Sequence, residues 1–147
     1  MHRPRKATLR LRSAAMGAAG GHPPYEAPLA TRNGLDYPHR DMYCTFCEIV
    51  AGREPARVRY EDDEVLVFDN VLGWVPVMLL VIPKRHLSQE ELWRDIGAVG
   101  RVALEMGRKH CPDGFRLLSN LGHDAMQSQP HGHLHVLGGA HLGLYVR

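Results

Sequence analysis

The chain has 147 residues, of which 44% are hydrophobic and 23% charged; these values are typical of a folded domain and exclude a wholly disordered chain. No apolar run approaches the roughly 18 residues of a transmembrane helix, so we expect no membrane partner, and three cysteines do not favour a disulfide scaffold. The net charge of +2 is unevenly divided, because residues 1–40 hold seven of the 18 Lys and Arg side chains but only two of the 16 acidic ones.

Residues 1–40 differ in composition from the rest of the chain. Gly, Pro, Ala and Arg dominate them, and neither a helical nor a strand period is present. Arginines interrupt the apolar core that a secretory signal needs, whereas an Arg-rich transit peptide stays open as an alternative. We predict a disordered basic extension over 1–40 and one domain over 41–147. That domain is mildly acidic, so nucleic acid is not expected as a partner.

The domain begins with a short predicted helix, followed by three predicted strands. The helix covers Cys44–Ala51 and ends at Gly52, a residue suited to the left-handed conformation of a helix end. β-Branched and aromatic runs of strand length follow, separated by an acidic turn and stopped by a proline. These strands are Val58–Tyr60, Val65–Phe68 and Met78–Ile82.

A long helix and two further strands complete the predicted domain. Ser88 and Glu91 have the spacing of a capping box, which marks a helix start. One buried stripe follows at helical spacing: Leu92, Ile96, Val99, Ala103 and Met106. Strands are predicted at Phe115–Ser119 and His131–Leu137. Hairpin-like neighbours with one long and one short helix predict an α+β fold with a largely antiparallel five-stranded sheet.

Histidine occupies every second position of the last predicted strand. Strand side chains alternate between faces, so His131, His133 and His135 would point the same way, while Leu134 and Val136 face a core. Three imidazoles are costly to bury without partners, which argues against a packing role. A solvated face with fortuitous spacing, or a patch that only binds metal, is the alternative.

Two further groups of residues are suited to binding a ligand, one a metal ion and the other a phosphate. Cys44 and Cys47 form a C-x-x-C pair which, with a distant histidine, suits tetrahedral zinc; a redox pair or two ordinary cysteines are the alternatives. The polar loop that contains Asn120, Gln127 and Ser128 leads into the histidines and offers neutral hydrogen-bond donors for a phosphate, although an ordinary connection has the same composition. No P-loop sequence is present.

The segment His131-x-His133-x-His135-Val-Leu resembles the signature of the histidine triad (HIT) superfamily of nucleotide hydrolases and transferases. The resemblance extends over residues 42–139 and is to the bacterial Hint-like branch with a C-x-x-C zinc site. The further matching segments, in family order, are Cys44–Ala56, Tyr60–Asp63, Leu80–His86 and Gln127-Ser128.

The resemblance implies a HIT-like fold and a role for each matching residue. His133 would be the nucleophile that attacks the α-phosphorus of a purine nucleotide, with His135 and His131 as the other catalytic histidines. The resemblance assigns phosphate contacts to Asn120, Gln127 and Ser128, and nucleoside contacts to Phe46, Phe68, Asn70 and Val71. It also implies a homodimer in the cytoplasm and a structural zinc ion bound by Cys44, Cys47, His86 and His131.

The sequence departs from the family pattern at two positions near the expected pocket. Met78 stands where family members carry a histidine, and Asn70 stands where they carry a ribose-binding aspartate. An amide has one acceptor oxygen where a carboxylate has two, so we expect altered nucleoside binding. The implied activity is hydrolysis of nucleoside phosphoramidates or dinucleoside polyphosphates. A nucleotide-binding regulatory protein with little turnover, or a nucleotidyl transferase, is the alternative.

Overall fold

The computed structural model describes residues 43–144, which form five strands and three helices. The extension predicted over 1–40 lies outside the described residues. In chain order the elements are α1 (Thr45–Val50), β1 (Val58–Glu61), β2 (Val65–Asp69), β3 (Val77–Pro83), α2 (Gln89–Arg94), α3 (Gly97–His110), β4 (Phe115–Leu118) and β5 (Leu134–Gly138). Helix α1 and strands β1 to β4 agree with the predicted elements to within one residue at each end.

The five strands form one sheet in the order β1-β2-β3-β5-β4, and every neighbouring pair is antiparallel. The first hairpin is closed by Asp62, whose carboxylate accepts the backbone N–H groups of Glu64 and Val65. This is the usual way in which an aspartate stabilises a tight turn. The predicted α+β class and antiparallel sheet are confirmed.

The predicted long helix is interrupted. Ser88 caps α2 through the expected capping box with Glu91, but the helix ends at Asp95, whose φ of −132° and ψ of 50° are not helical. Helix α3 then begins at Gly97. Aspartate and glycine are both poor residues for a helix interior, so the break falls where helix propensity is lowest. The stripe predicted from Leu92 to Met106 is nevertheless turned inward throughout, and Leu92, Val99, Ala103 and Met106 are buried.

The sheet has an apolar cluster on each face. On the face that packs against α3, which we call the α3 face, the strands contribute alternate residues of β2, β3 and β5: Val65, Val67, Leu79, Val81, Leu134 and Val136. On the opposite face, the α1 face, the intervening strand residues pack against Cys44 and Phe46 at the start of the first helix. These strand residues are Leu66, Phe68, Leu80 and Ile82. The predicted core role of Leu134 and Val136 is confirmed.

Strand β5 begins later than predicted. The ladder to β3 starts at Leu134, so the predicted start at His131 is wrong and, of the three triad histidines, only His135 lies on the strand. The cause is tertiary: the N–H of Gly132 donates to the carbonyl of Leu87, which precedes α2, and not to a neighbouring strand. Among the described helices, none has the length and apolar character needed to cross a membrane.

Candidate active site and metal centre

Four side chains from three separate parts of the chain converge beside α1. One ligand atom from each of Cys44, Cys47, His86 and His131 lies within 4.8 Å of all the others. Cys47 Sγ lies 3.1 Å from His86 Nδ1, and His131 Nδ1 lies 3.5 Å from Cys47 Sγ and 3.7 Å from Cys44 Sγ. The structure therefore brings together all four residues of the ligand set that the resemblance implies.

Local structure places each member of this cluster. Cys44 is the N-cap of α1 and Cys47 lies within its first turn, so both thiols face the same side. His86 follows the end of β3 at Pro83. His131 is fully buried, and its Nε2–H donates to the carbonyl of Pro83 at 2.8 Å. Because that carbonyl can only accept, the proton lies on Nε2 and the lone pair of Nδ1 points towards the cysteines.

The chemistry of the four donors fits a tetrahedral metal ion. A Cys₂His₂ set is a common structural zinc site, and Zn–S and Zn–N bonds of ordinary length separate neighbouring ligand atoms by about 3.3–3.8 Å. Burial and the neighbouring Cys44 raise the pKa of Cys47 to about 11. A thiol with so high a pKa is a poor redox nucleophile, but a bound cation would favour its thiolate. The four residues can hold a metal, and the redox alternative has little support.

His133 lies next to this centre in a defined tautomer. Its Nδ1–H donates to the carbonyl of His131 at 2.8 Å, which leaves Nε2 with the lone pair. Burial lowers the pKa of His133 below its ordinary value, so the imidazole is neutral at pH 7. A neutral imidazole held by one nitrogen and free at the other is the form that a histidine nucleophile requires.

The ring of His135 stands beside that of His133, with 5.0 Å between the ring centroids. Burial and the neighbouring His133 lower the pKa of His135 to about 4. Its Nδ1 is buried, and no atom of the described residues forms a hydrogen bond with it. Buried polar atoms without partners are uncommon, and since His135 as a whole is partly exposed, the part of it that a ligand can reach lies away from Nδ1.

Two phenylalanines lie on the α1 face of the sheet, near His133. The ring of Phe46 packs edge-on against His133 at 5.4 Å and against Phe68 at 5.5 Å. Both phenylalanines are buried. Aromatic side chains at this position give an apolar wall beside the candidate nucleophile.

The other two residues predicted to contact the nucleoside, Asn70 and Val71, are not part of this aromatic wall. Asn70 Oδ1 accepts the N–H of Leu72 at 3.0 Å, so its single acceptor oxygen already holds its own turn. Val71 is 99% exposed. Asn70 and the departure residue Met78 line a cavity of about 210 Å³ that includes no triad histidine.

The polar loop before the triad is held by its own amides. Nδ2 of Asn120 donates to the carbonyl of Ala125, and Oε1 of Gln127 accepts the N–H of Gly122 at 2.9 Å. Ser128 is exposed. The two amides thus shape the loop in this structure, and their predicted contact with phosphate stays a prediction.

Two residues of the site were missed from the sequence. One is Pro83, whose carbonyl orients His131. The other is Gln89, which is buried and bonds to the backbone of His133. Gln89 lies three residues before Leu92 and so extends the buried helical stripe with a polar residue. That position was a signal that its amide has a partner inside the protein.

Comparison with known proteins identifies the class. The HIT domain model matches residues 51–142, more than half of the chain. A 13.2 kDa HIT-like protein of Azospirillum brasilense is 34% identical in an alignment of 108 residues that covers 67% of this chain and 87% of the relative. The chain therefore belongs to the HIT family.

Solved structures agree with this assignment. A HIT family hydrolase from Legionella pneumophila is 30% identical with a TM-score of 0.64, and the match covers 69% of this chain and 96% of that one. A zinc-bound histidine triad family protein from Mycobacterium smegmatis is 34% identical with a TM-score of 0.55, over 65% of this chain and 73% of that one. Membership supports a HIT-type, nucleotide-related and hydrolase-like function.

Proposed function

We propose that this protein hydrolyses nucleotides substituted at the α-phosphate, through a covalent nucleotidyl intermediate on His133. The substrate classes are nucleoside phosphoramidates and dinucleoside polyphosphates, with a purine base. The observation that carries the proposal is the bond from His133 Nδ1–H to the His131 carbonyl, which leaves Nε2 as a neutral nucleophile.

The reaction proceeds in two displacements. Nε2 of His133 forms a bond to the α-phosphorus, and the bond from phosphorus to the leaving group breaks. The bound phosphate raises the proton affinity of His135, which then donates a proton to the leaving group. Water attacks the same phosphorus and gives a proton to the now neutral His135, the P–N bond to His133 breaks, and the nucleoside monophosphate is released. Covalent catalysis of this kind divides one difficult displacement into two easier ones.

The remaining residues bind the nucleotide in this proposal. The partly exposed ring of His135, together with Ser128, Asn120 and Gln127 once the loop adjusts, contacts the phosphate. Phe46 and Phe68 contact the purine, whose face needs no specific hydrogen bond.

We further propose that zinc is the metal held by Cys44, Cys47, His86 and His131. Support comes from the donor set, the ligand separations and the zinc-bound relative from Mycobacterium smegmatis. All four positions of a tetrahedral ion would be filled by protein, so the metal would be structural. Its effect would be to fix His131, whose carbonyl in turn orients His133.

Intact-mass spectrometry tests the mechanism. His135→Ala is incubated with adenosine 5′-phosphoramidate, and we expect an adduct of one AMP that His133→Ala/His135→Ala does not form. Release of AMP by the wild-type protein in buffer, without an added acceptor, distinguishes hydrolysis from nucleotidyl transfer. Folded, metal-loaded protein that gives neither adduct nor AMP would contradict the proposal.

A second candidate is a nucleotide-binding regulatory protein with little turnover. The observations that favour it are the buried Met78 in place of a histidine and the engagement of Asn70 Oδ1 in its own turn. Equilibrium binding of AMP without release from phosphoramidate would support this candidate, and His133→Ala would then bind AMP as the wild type does.

The predicted homodimer and cytoplasmic location stay predictions. The stripe from Leu92 to Met106 is covered by the sheet, so it does not offer a dimer interface. Strand β4 lies at one edge of the sheet, where a second copy could pair with it. Light scattering at high protein concentration should give twice the chain mass, and a monomer would contradict the dimer.

A further inference from the structure

One side-chain amide occupies both backbone hydrogen-bonding groups of His133. Oε1 of Gln89 accepts the N–H of His133 at 3.0 Å, and Nε2 of Gln89 donates to the His133 carbonyl at 2.9 Å. Two antiparallel strands exchange the same pair of bonds where residues face each other in a hydrogen-bonded pair. Gln89 therefore acts on the nucleophile's backbone as a neighbouring strand would.

The neighbouring strands themselves do not extend to His133. Pairing between β3 and β5 begins with Val81 and Leu134, and pairing between β4 and β5 begins with Leu118 and His135. Without Gln89, the N–H and the carbonyl of the buried His133 would lose their hydrogen bonds to the Gln89 amide. Such groups are costly to leave unsatisfied inside a protein.

The amide of Gln89 is held in one orientation. Its second N–H donates to Oγ of Ser119, which also accepts a bond from Nε1 of Trp93 at 3.2 Å. Rotating the amide by 180° would place its NH₂ group against the N–H of His133, so two donors would face each other. Gln89 is only 3% exposed, so water does not compete for the hydrogen bonds of its amide.

Close packing of backbone brings Gln89 to this place. The N–H of Gly132 donates to the carbonyl of Leu87 at 2.6 Å. A Cβ at Gly132 would lie 2.8 Å from the carbonyl oxygen of Ser88, which is too close for any side chain. The start of α2 is thus docked on the residue before the nucleophile, and Gln89 is the first residue of that helix.

We infer that Gln89 is a positioning residue for the nucleophile: it fixes the main chain of His133 and so the place of the reacting Nε2, without touching the substrate. The inference rests on the proposed function. It assigns Gln89 an effect on rate rather than on affinity, because a displacement of about 1 Å at a reacting group can lower a rate roughly 100-fold. The phenylalanines proposed to bind the purine lie on other elements, α1 and β2, which are held in place by their own apolar cluster.

The test replaces Gln89 and follows rate, affinity and backbone protection separately. Gln89→Met keeps the size of the side chain and removes all three bonds, and Gln89→Glu keeps an acceptor for His133 N–H but loses the NH₂ donor. Glu90→Met is the matched control, because it makes a similar change at the next, exposed position of the same helix. The measurements are the single-turnover rate of adduct formation with adenosine 5′-phosphoramidate, the calorimetric affinity for AMP, and hydrogen exchange at the His133 amide.

We expect Gln89→Met to form the adduct about 10- to 100-fold more slowly and Gln89→Glu to be slowed in the same direction. AMP affinity should stay within about twofold, because bound phosphate and base contact other residues. The His133 amide should exchange faster in Gln89→Met, and Glu90→Met should match the wild type throughout.

The outcomes separate this inference from the proposed function. A wild-type rate in Gln89→Met, or equal losses of rate and affinity, would overturn the positioning role while leaving the covalent mechanism intact. A wild-type protein that forms no adduct would instead contradict the proposed function. In that event hydrogen exchange still decides whether Gln89 fixes the main chain of His133: protection that survives in Gln89→Met overturns this, and loss of protection supports it.

Discussion

The two faces of the sheet are stabilised in different ways. On the α3 face, aliphatic side chains from β2, β3 and β5 pack against one long helix, and burial of apolar area accounts for the contact. On the α1 face the covering helix has only six residues, and its apolar contacts centre on Phe46. The remaining contacts there are thiols, imidazoles and carbonyls paired one by one.

This difference has a physical consequence for how each face tolerates change. A hydrophobic contact is non-directional, so the α3 face should accept volume-conserving replacements at modest cost. The α1 face depends more on directional bonds, and the four candidate metal ligands bring its small helix together with the segments that follow β3 and precede β5. Stability of that face should therefore depend on a bound metal, and the predictions below test the contrast.

Metal removal should have the largest effect, and it should act through the α1 face. A ligand present at about a thousand times its dissociation constant stabilises the folded state by about 4 kcal/mol. We expect verified removal of the metal, which we propose to be zinc, to lower the melting temperature of the wild-type chain, measured by calorimetry with metal analysis. Cys47→Ser is the control, since chelator should change it little. An unchanged melting temperature after complete removal would show that the metal does not stabilise this face.

Met106→Ala should weaken the α3 face without affecting the metal. Met106 is 2% exposed, and its truncation leaves a cavity, which should cost about 3 kcal/mol of unfolding free energy. Urea unfolding measures the loss, and metal analysis should give the wild-type content. Loss of zinc together with stability would mean that the two faces are not independent.

Gly132→Ala tests the contact between α2 and the backbone beside the nucleophile. The new Cβ would meet the Ser88 carbonyl at 2.8 Å and the Cβ of Leu92 at 2.9 Å, so we expect a loss of about 1–3 kcal/mol and slower adduct formation. Gly97→Ala is the control, because nothing lies within 4 Å of its Cβ. Equal effects of the two substitutions would contradict the close contact.

The smallest effect should be a pH dependence at the rim of the α3 face. Bonding to Arg59 lowers the pKa of Asp69 below its ordinary value. A carboxylate with a lowered folded-state pKa stabilises the protein above its unfolded pKa, and the contribution is lost as the pH falls through the folded value. The pair is partly exposed, so the contribution is less than about 1 kcal/mol.

Unfolding measured between pH 7 and pH 3 should therefore show a slightly larger loss of stability in the wild type than in Asp69→Asn. The exposed Asp113→Asn serves as the control and should behave as the wild type does. Parallel curves for the wild type and Asp69→Asn would show that the ion pair does not contribute to stability.

The elements that could be predicted are those encoded by local pattern. Runs of β-branched, aromatic and apolar residues placed β1 to β4, the Ser88–Glu91 spacing predicted the capping box, and Leu134 and Val136 were predicted to face the core. The metal cluster followed from the family resemblance, because Cys44 and His131 are far apart in the chain and no spacing rule connects them. The break at Asp95 was missed, because the apolar stripe continues across it and hides the change in helix direction.

The sequence by itself determined which reactive groups this chain offers: three alternate histidines, a C-x-x-C pair and the succession of strands along the chain depend only on residue type and local pattern. Tertiary structure alone decided which ring nitrogen of His131 and of His133 is free. That choice depends on the carbonyls of Pro83 and His131, while the amide of Gln89 bonds to the backbone of His133 from a distant part of the chain. Hydrogen bonds are short-ranged and directional, so they are fixed by final positions in space and leave little trace in the pattern along the chain.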